Sequence, residues 1–276
     1  MKPASFEYHA PTELTEALQL LASIGEGARP LAGGQSLFPM LNLRLARPEA
    51  LVDLNRIEAL AYHRLEGDTL VVGALCRQRD IERDVEVLRR CGALADAMPL
   101  IGHVGIRNRG TVLGSLAHAD PSAEWPTLAV LLDATIEVAS LEARRQIPAR
   151  AFFKGLFATD LRPGELVVEA RFPLPSAGAG SAFVEVARRH GDFAIGAAAA
   201  VVSIGPDGKV ADARLALGGF DSVPIRATPD PASVSDQVHP VDDIHAPASY
   251  RRKLAETLAG RALDLAERRA REETRR

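Results

Sequence analysis

The segment that most restricts how this chain can fold is Ala194–Ile204, its longest apolar run. It is about half of the ~20 residues that a membrane span needs, and it is built from small and β-branched residues, so it reads as a buried strand. Two further segments, Ala182–Ala187 and Val210–Leu217, read as strands, and Pro206-Asp207-Gly208 joins the last two as a hairpin. A helix from about Ala248 carries Leu254, Leu258 and Leu263 and then gives way to Arg and Glu. Its last ten residues are expected to be solvated and frayed.

Upstream lies Ser176-Ala177-Gly178-Ala179-Gly180-Ser181, a small-residue stretch with neither helical nor strand period, and the domain boundary is placed there. A chain of 276 residues suits two compact units or one elaborated one. The expected division is 1–175, with subdomains 1–57 and 58–175, followed by 176–276. In the first subdomain Thr12 can cap a helix bearing Leu14, Leu18 and Leu21, which Gly25 stops. A strand at Arg29–Ala32, a helical stretch around Leu37–Leu45 and a strand at Ala50–Leu54 follow. In the second, Thr69–Ala74, Thr135–Ser140 and Gly164–Phe172 read as strands, and Gln78–Met98 and Trp125–Leu132 as helices. The segment Ala227–Pro240, rich in Pro, Ser and Asp, reads as an exposed loop.

Hydrophobic residues make up 47% and charged residues 25%, with a formal net charge of -3. That profile belongs to an ordinary globular protein and implies neither a nucleic-acid partner nor a membrane span. The start, Met1–Ala10, lacks the apolar stretch of a secretory signal, so the chain is expected to begin here and to be cytoplasmic. Cys76 and Cys91 read as two reduced, buried thiols, and two thiols cannot supply the four ligands of an iron–sulfur cluster. Any such cluster has to sit on a partner.

Three segments carry residues unusual for their places. In Leu31-Ala32-Gly33-Gly34-Gln35-Ser36, paired glycines follow a strand, with Leu37 opening a helix behind them. Backbone N–H groups exposed in such a turn suit an anion such as a diphosphate; a tight turn needing positive φ accounts for the same glycines. The spacing is neither that of a Rossmann fingerprint nor that of a Walker lysine loop. The second segment runs from Ile106 through Arg107-Asn108-Arg109-Gly110-Thr111-Val112-Leu113-Gly114-Ser115 to His118, Asp120 and Glu124, and reads as a long polar loop between two helices. Thr111 and Ser115 offer hydroxyls, and Glu124 a carboxylate for sugar or ribityl hydroxyls. No second His or Cys stands at ligand spacing from His118, so no metal site is expected. In the third segment, Arg188-Arg189-His190-Gly191-Asp192-Phe193-Ala194, an aromatic at the mouth of a strand can lie against a flat ring or pack into the core.

Taken together and in this order, Ala-Gly-Gly-Gln-Ser at 32–36, Ile-Arg-Asn-Arg-Gly-Thr at 106–111, Ala-His-Ala-Asp-Pro at 117–121 and Arg-x-Gly-Asp-Phe-Ala at 189–194 resemble the FAD-binding medium subunits of molybdenum hydroxylases of the carbon monoxide dehydrogenase, quinoline oxidoreductase and xanthine dehydrogenase type. The similarity runs from Phe6 to roughly Ala259. It implies an α+β fold: a two-subdomain FAD-binding domain, then a smaller C-terminal domain with a three-stranded antiparallel sheet. It also implies that Ala32–Leu37 and Ile106, Gly110, Thr111, Leu113, Gly114 and Ser115, with His118 and Asp120, hold the FAD, its diphosphate gripped by the two turns. Glu124 then falls at the ribityl contact and Phe193 near the isoalloxazine, and Asp192 is among the cofactor-binding residues. Two residues depart from the family's pattern. Leu113 stands where a glycine is usual, which strains a branched side chain unless φ there is negative, and Gln35 stands where His is frequent.

The resemblance further implies an electron-transfer role without catalytic acid or base in this chain. Electrons would come from 2Fe-2S clusters on a small subunit, pass through FAD here and leave to a quinone or NAD. Hydroxylation would occur at molybdopterin on a large subunit, in a dimer of heterotrimers. An autonomous flavin oxidase and a flavin-free scaffold are the competing readings. A bulky residue at Gly33 is expected to abolish flavin content while sparing the fold.

Overall fold

In the computed structural model, which describes residues 2–274, the chain begins with a small parallel sheet. Strand β1 (Glu7–His9) leads to helix α1 (Leu14–Ile24), β2 (Ala28–Leu31), α2 (Leu37–Asn42) and β3 (Ala50–Asp53), with strand order β1-β3-β2. Both pairings are parallel, as crossover helices require. Helix α1 buries Ala17, Leu18 and Leu21 on the stripe expected of it. Its N-cap, however, is Glu13 rather than Thr12, and it makes no capping side-chain bond; Thr12 instead gives its N–H to Glu16 at 3.2 Å.

The second unit is a five-stranded antiparallel sheet interrupted by helices. Its elements are β4 (His63–Glu66), β5 (Thr69–Gly73), α3 (Gln78–Arg83), α4 (Val85–Arg90), α5 (Gly92–Ala97), α6 (Val104–Arg109), α7 (Val112–His118), α8 (Glu124–Leu131), β6 (Thr135–Ala139), β7 (Arg144–Pro148), α9 (Ala149–Phe152), the short ribbon β8 (Phe153–Gly155) and β9 (Ala158–Thr159), and β10 (Leu166–Pro173). The order β4-β5-β10-β6-β7 puts the last strand in the middle. The single helix expected over Gln78–Met98 is three short ones. Asp84 interrupts it by accepting the N–H groups of Glu86 and Val87, each at 3.0 Å, which starts a new helix. A second break falls at Cys91, which has extended backbone. The long polar loop expected before Glu124 is likewise mostly helical, as α6 and α7.

The third unit comprises β11 (Ala179–Ala187), β12 (Ala194–Ile204), β13 (Val210–Gly218), β14 (Ile225–Ala227) and α10 (Ala248–Thr274). Its antiparallel sheet has four strands rather than three, because Ile225–Ala227 adds to the edge of β13. The two faces of this sheet have different neighbours. Phe183, Ala197, Ala199, Val201 and Ala216 join the core of the preceding units, whereas Ala182, Ala198, Ala200, Leu215 and Leu217 pack with Leu254, Leu258 and Ala262 of α10. A strand covered on both sides has no polar face to alternate with, which is why β12 carries no polar side chain from Ala194 to Val202. The segment after Ala227 forms a short 3₁₀ turn, with Val234 and Val238 buried rather than exposed.

Helix α10 stays regular to Thr274 and packed to Ala270, with residues 272–274 exposed as expected; the last two residues of the end expected to fray lie outside the described residues. Ala262, Ala266 and Ala270 are fully buried, and Arg269 pairs with Asp96 of α5 at 2.7 and 2.9 Å while donating to the Ser181 carbonyl at 2.7 Å. Alanines recurring every fourth residue beneath a charged surface are the stripe that leucine spacing alone misses. Among the described residues no helix is long and apolar enough to cross a membrane, and Cys76 and Cys91 are free, buried thiols.

Candidate functional site

Strand β2 ends at buried Leu31, and the chain turns through Ala32–Ser36 into α2. Gly34 has φ +72°, and its carbonyl accepts the Phe38 N–H at 3.0 Å. Gly33 does something different. A Cβ there would lie 2.4 Å from the Arg109 carbonyl oxygen and 2.7 Å from the Gly110 Cα, so the backbone of the first turn rests directly on that of the second. Gln35 donates from Nε2 to the Gly33 carbonyl at 2.9 Å, bracing the turn from within. Leu37 packs beside a small cluster of Leu31, Leu41 and Leu51.

Two residues outside the sequence motifs lash these turns together. Asn55 donates to the Ala32 carbonyl at 2.9 Å and accepts from Arg77 at 2.6 Å, and Arg77 also donates to the Arg109 carbonyl. Burial, with the neighbouring Arg109 cation, pushes the Arg77 pKa down. Neither residue lies in a recognisable pattern, and their only signal is Asn55 closing a strand.

Helix α6 stops at Gly110, whose carbonyl accepts the Gln78 N–H at 2.9 Å, and buried Thr111 caps α7 by accepting the Gly114 N–H at 3.0 Å. Beneath this junction the buried side-chain oxygen Oε1 of Gln78 has no protein partner among the described residues. Leu113 sits in the first turn of α7 with negative φ and its side chain in the core, 2% exposed. The strain feared for a branched residue is absent, and only the backbone of Leu113 can face a ligand. Ile106, Gly114 and Ser115 are half-buried. Arg107 is structural: it is buried, forms a bidentate pair with Glu82 at 2.8 and 2.9 Å, and donates to the carbonyls of Ile101 and Gly102.

At the other end of α7, the half-buried His118 ring lies 5.1 Å from Phe157, tilted by 31°. Phe157 is exposed, has φ +54° and gives its N–H to the Ala119 carbonyl at 3.3 Å, a position that no sequence motif singles out. Burial lowers the His118 pKa and raises that of Asp120, whose carboxylate accepts the Ser122 N–H at 2.9 Å. Glu124 opens α8 and is only 5% exposed; burial, and then the like charge of Glu185, push its pKa up to about 8. Phe193 stands 59% exposed rather than in the core, beside Asp192, which pairs with Arg189 at 3.2 Å.

Close backbone contacts bring the third segment to the second. A Cβ on Gly191 would lie 2.7 Å from the Gly102 carbonyl oxygen just before α6. The Gly219 N–H donates to the Pro121 carbonyl at 2.7 Å, while a Cβ on Gly219 would sit 3.3 Å from the carbonyl oxygens of Ala194 and Ile195. Interlocked glycine turns for a diphosphate and an exposed aromatic for a flat ring fit a flavin dinucleotide. Among the described residues no cluster of His, Cys, Asp or Glu could hold a metal ion.

Comparison with known proteins agrees with this geometry. Residues 4–175 match the FAD binding domain in molybdopterin dehydrogenase, and residues 181–229 match the CO dehydrogenase flavoprotein C-terminal domain. The 6-hydroxypseudooxynicotine dehydrogenase complex subunit alpha of Paenarthrobacter nicotinovorans is 39% identical, over 98% of this chain and 97% of that one. The carbon monoxide dehydrogenase medium chain of Hydrogenophaga pseudoflava is 36% identical, over 96% and 98%. Among solved structures, carbon monoxide dehydrogenase from Hydrogenophaga pseudoflava superposes with a TM-score of 0.94 at 36% identity over 98% of this chain and 99% of that one. Quinoline 2-oxidoreductase from Pseudomonas putida 86 superposes with a TM-score of 0.90 at 35% identity, over 98% and 99%. The chain therefore belongs to the family of FAD-binding medium subunits of molybdenum hydroxylases.

Proposed function

We propose that this chain is the electron-transfer subunit of a heteromeric molybdenum hydroxylase, passing electrons from 2Fe-2S clusters on a small subunit to an external acceptor, a quinone or NAD. When bound, FAD supplies the chemistry of that junction, accepting electrons singly and releasing them in pairs. The observation that carries the reading is the backbone contact of Gly33 with Arg109 and Gly110, which joins two subdomains at one point. Two turns so held present their N–H groups to one diphosphate. Asn55 and Arg77 keep the turns in register, and Gln35 braces the first. Leu113 offers its backbone N–H and Ser115 its hydroxyl to the phosphates, on either side of Gly114, whose N–H the Thr111 cap holds. Glu124 accepts from ribityl hydroxyls, Phe193 covers a face of the ring system, and His118 and Asp120 line its approach. None of these groups has to act on the substrate that is hydroxylated.

Hydroxylation then belongs to a large molybdopterin subunit, with the assembly a dimer of heterotrimers. Residues 1–175 and 176–276 serve as its FAD-binding and C-terminal domains here. The two free thiols, both buried, suit a cytoplasmic enzyme. The test is purification of the complex with its companion chains. One FAD per copy of this chain, with molybdenum and iron on the companions, and flavin bleaching by substrate only in the complete assembly are expected. Bleaching of the isolated chain by a substrate would instead make it an autonomous oxidase, and a colourless complex that takes up no FAD would make it a scaffold.

A further inference from the structure

A second acid, outside the motifs that carry the family resemblance, raises the proton affinity of Glu124 from the C-terminal sheet. Glu185 pairs with Ala197 across β11 and β12, and Ala197 pairs with Gly218 across β12 and β13. Residues directly opposite one another in a sheet project from the same face. At the far end of this row a Cβ on Gly218 would lie 2.1 Å from the Thr127 hydroxyl and 3.1 Å from the Pro121 carbonyl oxygen, so the face looks at the first turn of α8. Phe183, two residues before Glu185, points into the same shared core. Glu185 therefore projects towards the helix that Glu124 opens.

Neither carboxylate has a cation of its own. No ion pair to Glu124 or Glu185 exists among the described residues, and the buried Oε2 of Glu185 has no hydrogen-bond partner there. The charged groups around Glu124 are Glu185 on β11, Asp120 in the turn before α8 and Arg107 on α6. Arg107 is already committed to Glu82. Two acids in such a setting cannot both ionise cheaply, because burial and mutual repulsion act in the same direction.

We propose that Glu185 is a positioning residue of the flavin site, forming with Glu124 one titrating unit that carries a single negative charge across the seam between the domains. The proposal rests on the reading of Glu124 as the acceptor of ribityl hydroxyls. Burial puts Glu185 at about 7 and Glu124 at about 8, in line with one proton held near neutrality. Hydroxyl donors stabilise a carboxylate, so FAD uptake draws the charge onto Glu124; where both acids were protonated, as in most molecules at pH 6.5, the displaced proton leaves to solvent. Below pH 8 part of that proton leaves to solvent, and affinity for FAD rises with pH.

Two measurements on the flavin-stripped full-length chain test this. Infrared difference spectra of glutamate-labelled protein against the E124Q and E185Q variants read the protonated carboxyl directly, with no flavin present. One protonated glutamate at pH 7 is expected, and in E185Q the Glu124 titration should move down by about one unit or more, a roughly tenfold fall in proton affinity. Two ionised glutamates at pH 7, or a Glu124 titration unmoved by E185Q, overturns the proposal. FAD titration calorimetry in buffers of different ionisation enthalpy should show proton release at pH 6.5 in the parent chain and less in E185Q. FAD binding without proton release also overturns it. If FAD is not taken up at all, the flavin reading fails, and the infrared titration still decides whether the acid pair exists.

Discussion

At the scale of single residues the site depends on contacts too close for any side chain. Gly33 lies against the Arg109–Gly110 backbone and not against open space, so a substitution there acts by forcing two turns apart. That revises the expectation that a bulky residue merely blocks ligand approach while sparing the fold. Gly33→Ala, with its single added carbon, is therefore expected to lower FAD retention at least about tenfold and to destabilise the chain by about 1–3 kcal/mol through overpacking. The flavin-to-protein absorbance ratio and a urea unfolding midpoint check both; full flavin content in that variant would sink the argument. Arg77→Met leaves the Asn55 side-chain oxygen and the Arg109 carbonyl without this donor. A loss of about 1–3 kcal/mol is expected, together with faster FAD dissociation, measured by flavin fluorescence after dilution. Gly33 is legible in the sequence as one of a glycine pair, but the Asn55–Arg77 brace is not, because it joins residues that no local pattern connects.

Among the secondary-structure elements, α10 is where sequence periodicity and packing part company. Its leucines mark the first half of a contact face that alanines continue to Ala270, because β11 approaches too closely for larger side chains. At Gly180 the approach is closest: a Cβ would lie 2.0 Å from the Ala266 carbonyl oxygen and 2.4 Å from the Ala270 nitrogen. Gly180→Val is expected to lever the end of α10 off the sheet, costing about 1–3 kcal/mol, with faster amide exchange over residues 262–274. Exchange unchanged in that stretch would contradict this packing. Helix α7 shows the converse. Leu113 reads as a misfit only while its segment is taken for a loop, and helical φ removes the difficulty.

Across the whole molecule, the seam between the C-terminal sheet and the FAD-binding units buries acids as well as apolar surface. Glu124 and Glu185 have pKa values raised above those of the unfolded chain, so their contribution to stability is fully present below about pH 4.5 and is lost as pH rises through 7 and 8. Asp243 has the opposite sign. Its pairing with Arg251 holds its pKa well below the usual range, so that contribution is lost on acidification below the ordinary aspartate value. The flavin-stripped chain should therefore be most stable on the mildly acidic side of neutrality. Its unfolding free energy should fall by an amount on the order of a few kcal/mol between pH 5.5 and 8.5, an upper figure given the partial exposure of Glu185. Urea midpoints at several pH values would show this, and stability rising with pH over that range would refute it.

The sequence by itself determined the family, the order of the three units, the two glycine turns and the buried apolar strand. Each of these is written in short-range pattern: residue type, spacing, or an apolar run whose length admits few structures. Only the tertiary structure decided that Gly33 rests on Arg109, that a fourth strand extends the C-terminal sheet, that α10 stays packed as far as Ala270 and that Glu185 projects from the face turned towards α8. All four depend on chain segments far apart in sequence meeting at specific distances, and local periodicity carries no information about which partner a residue will meet.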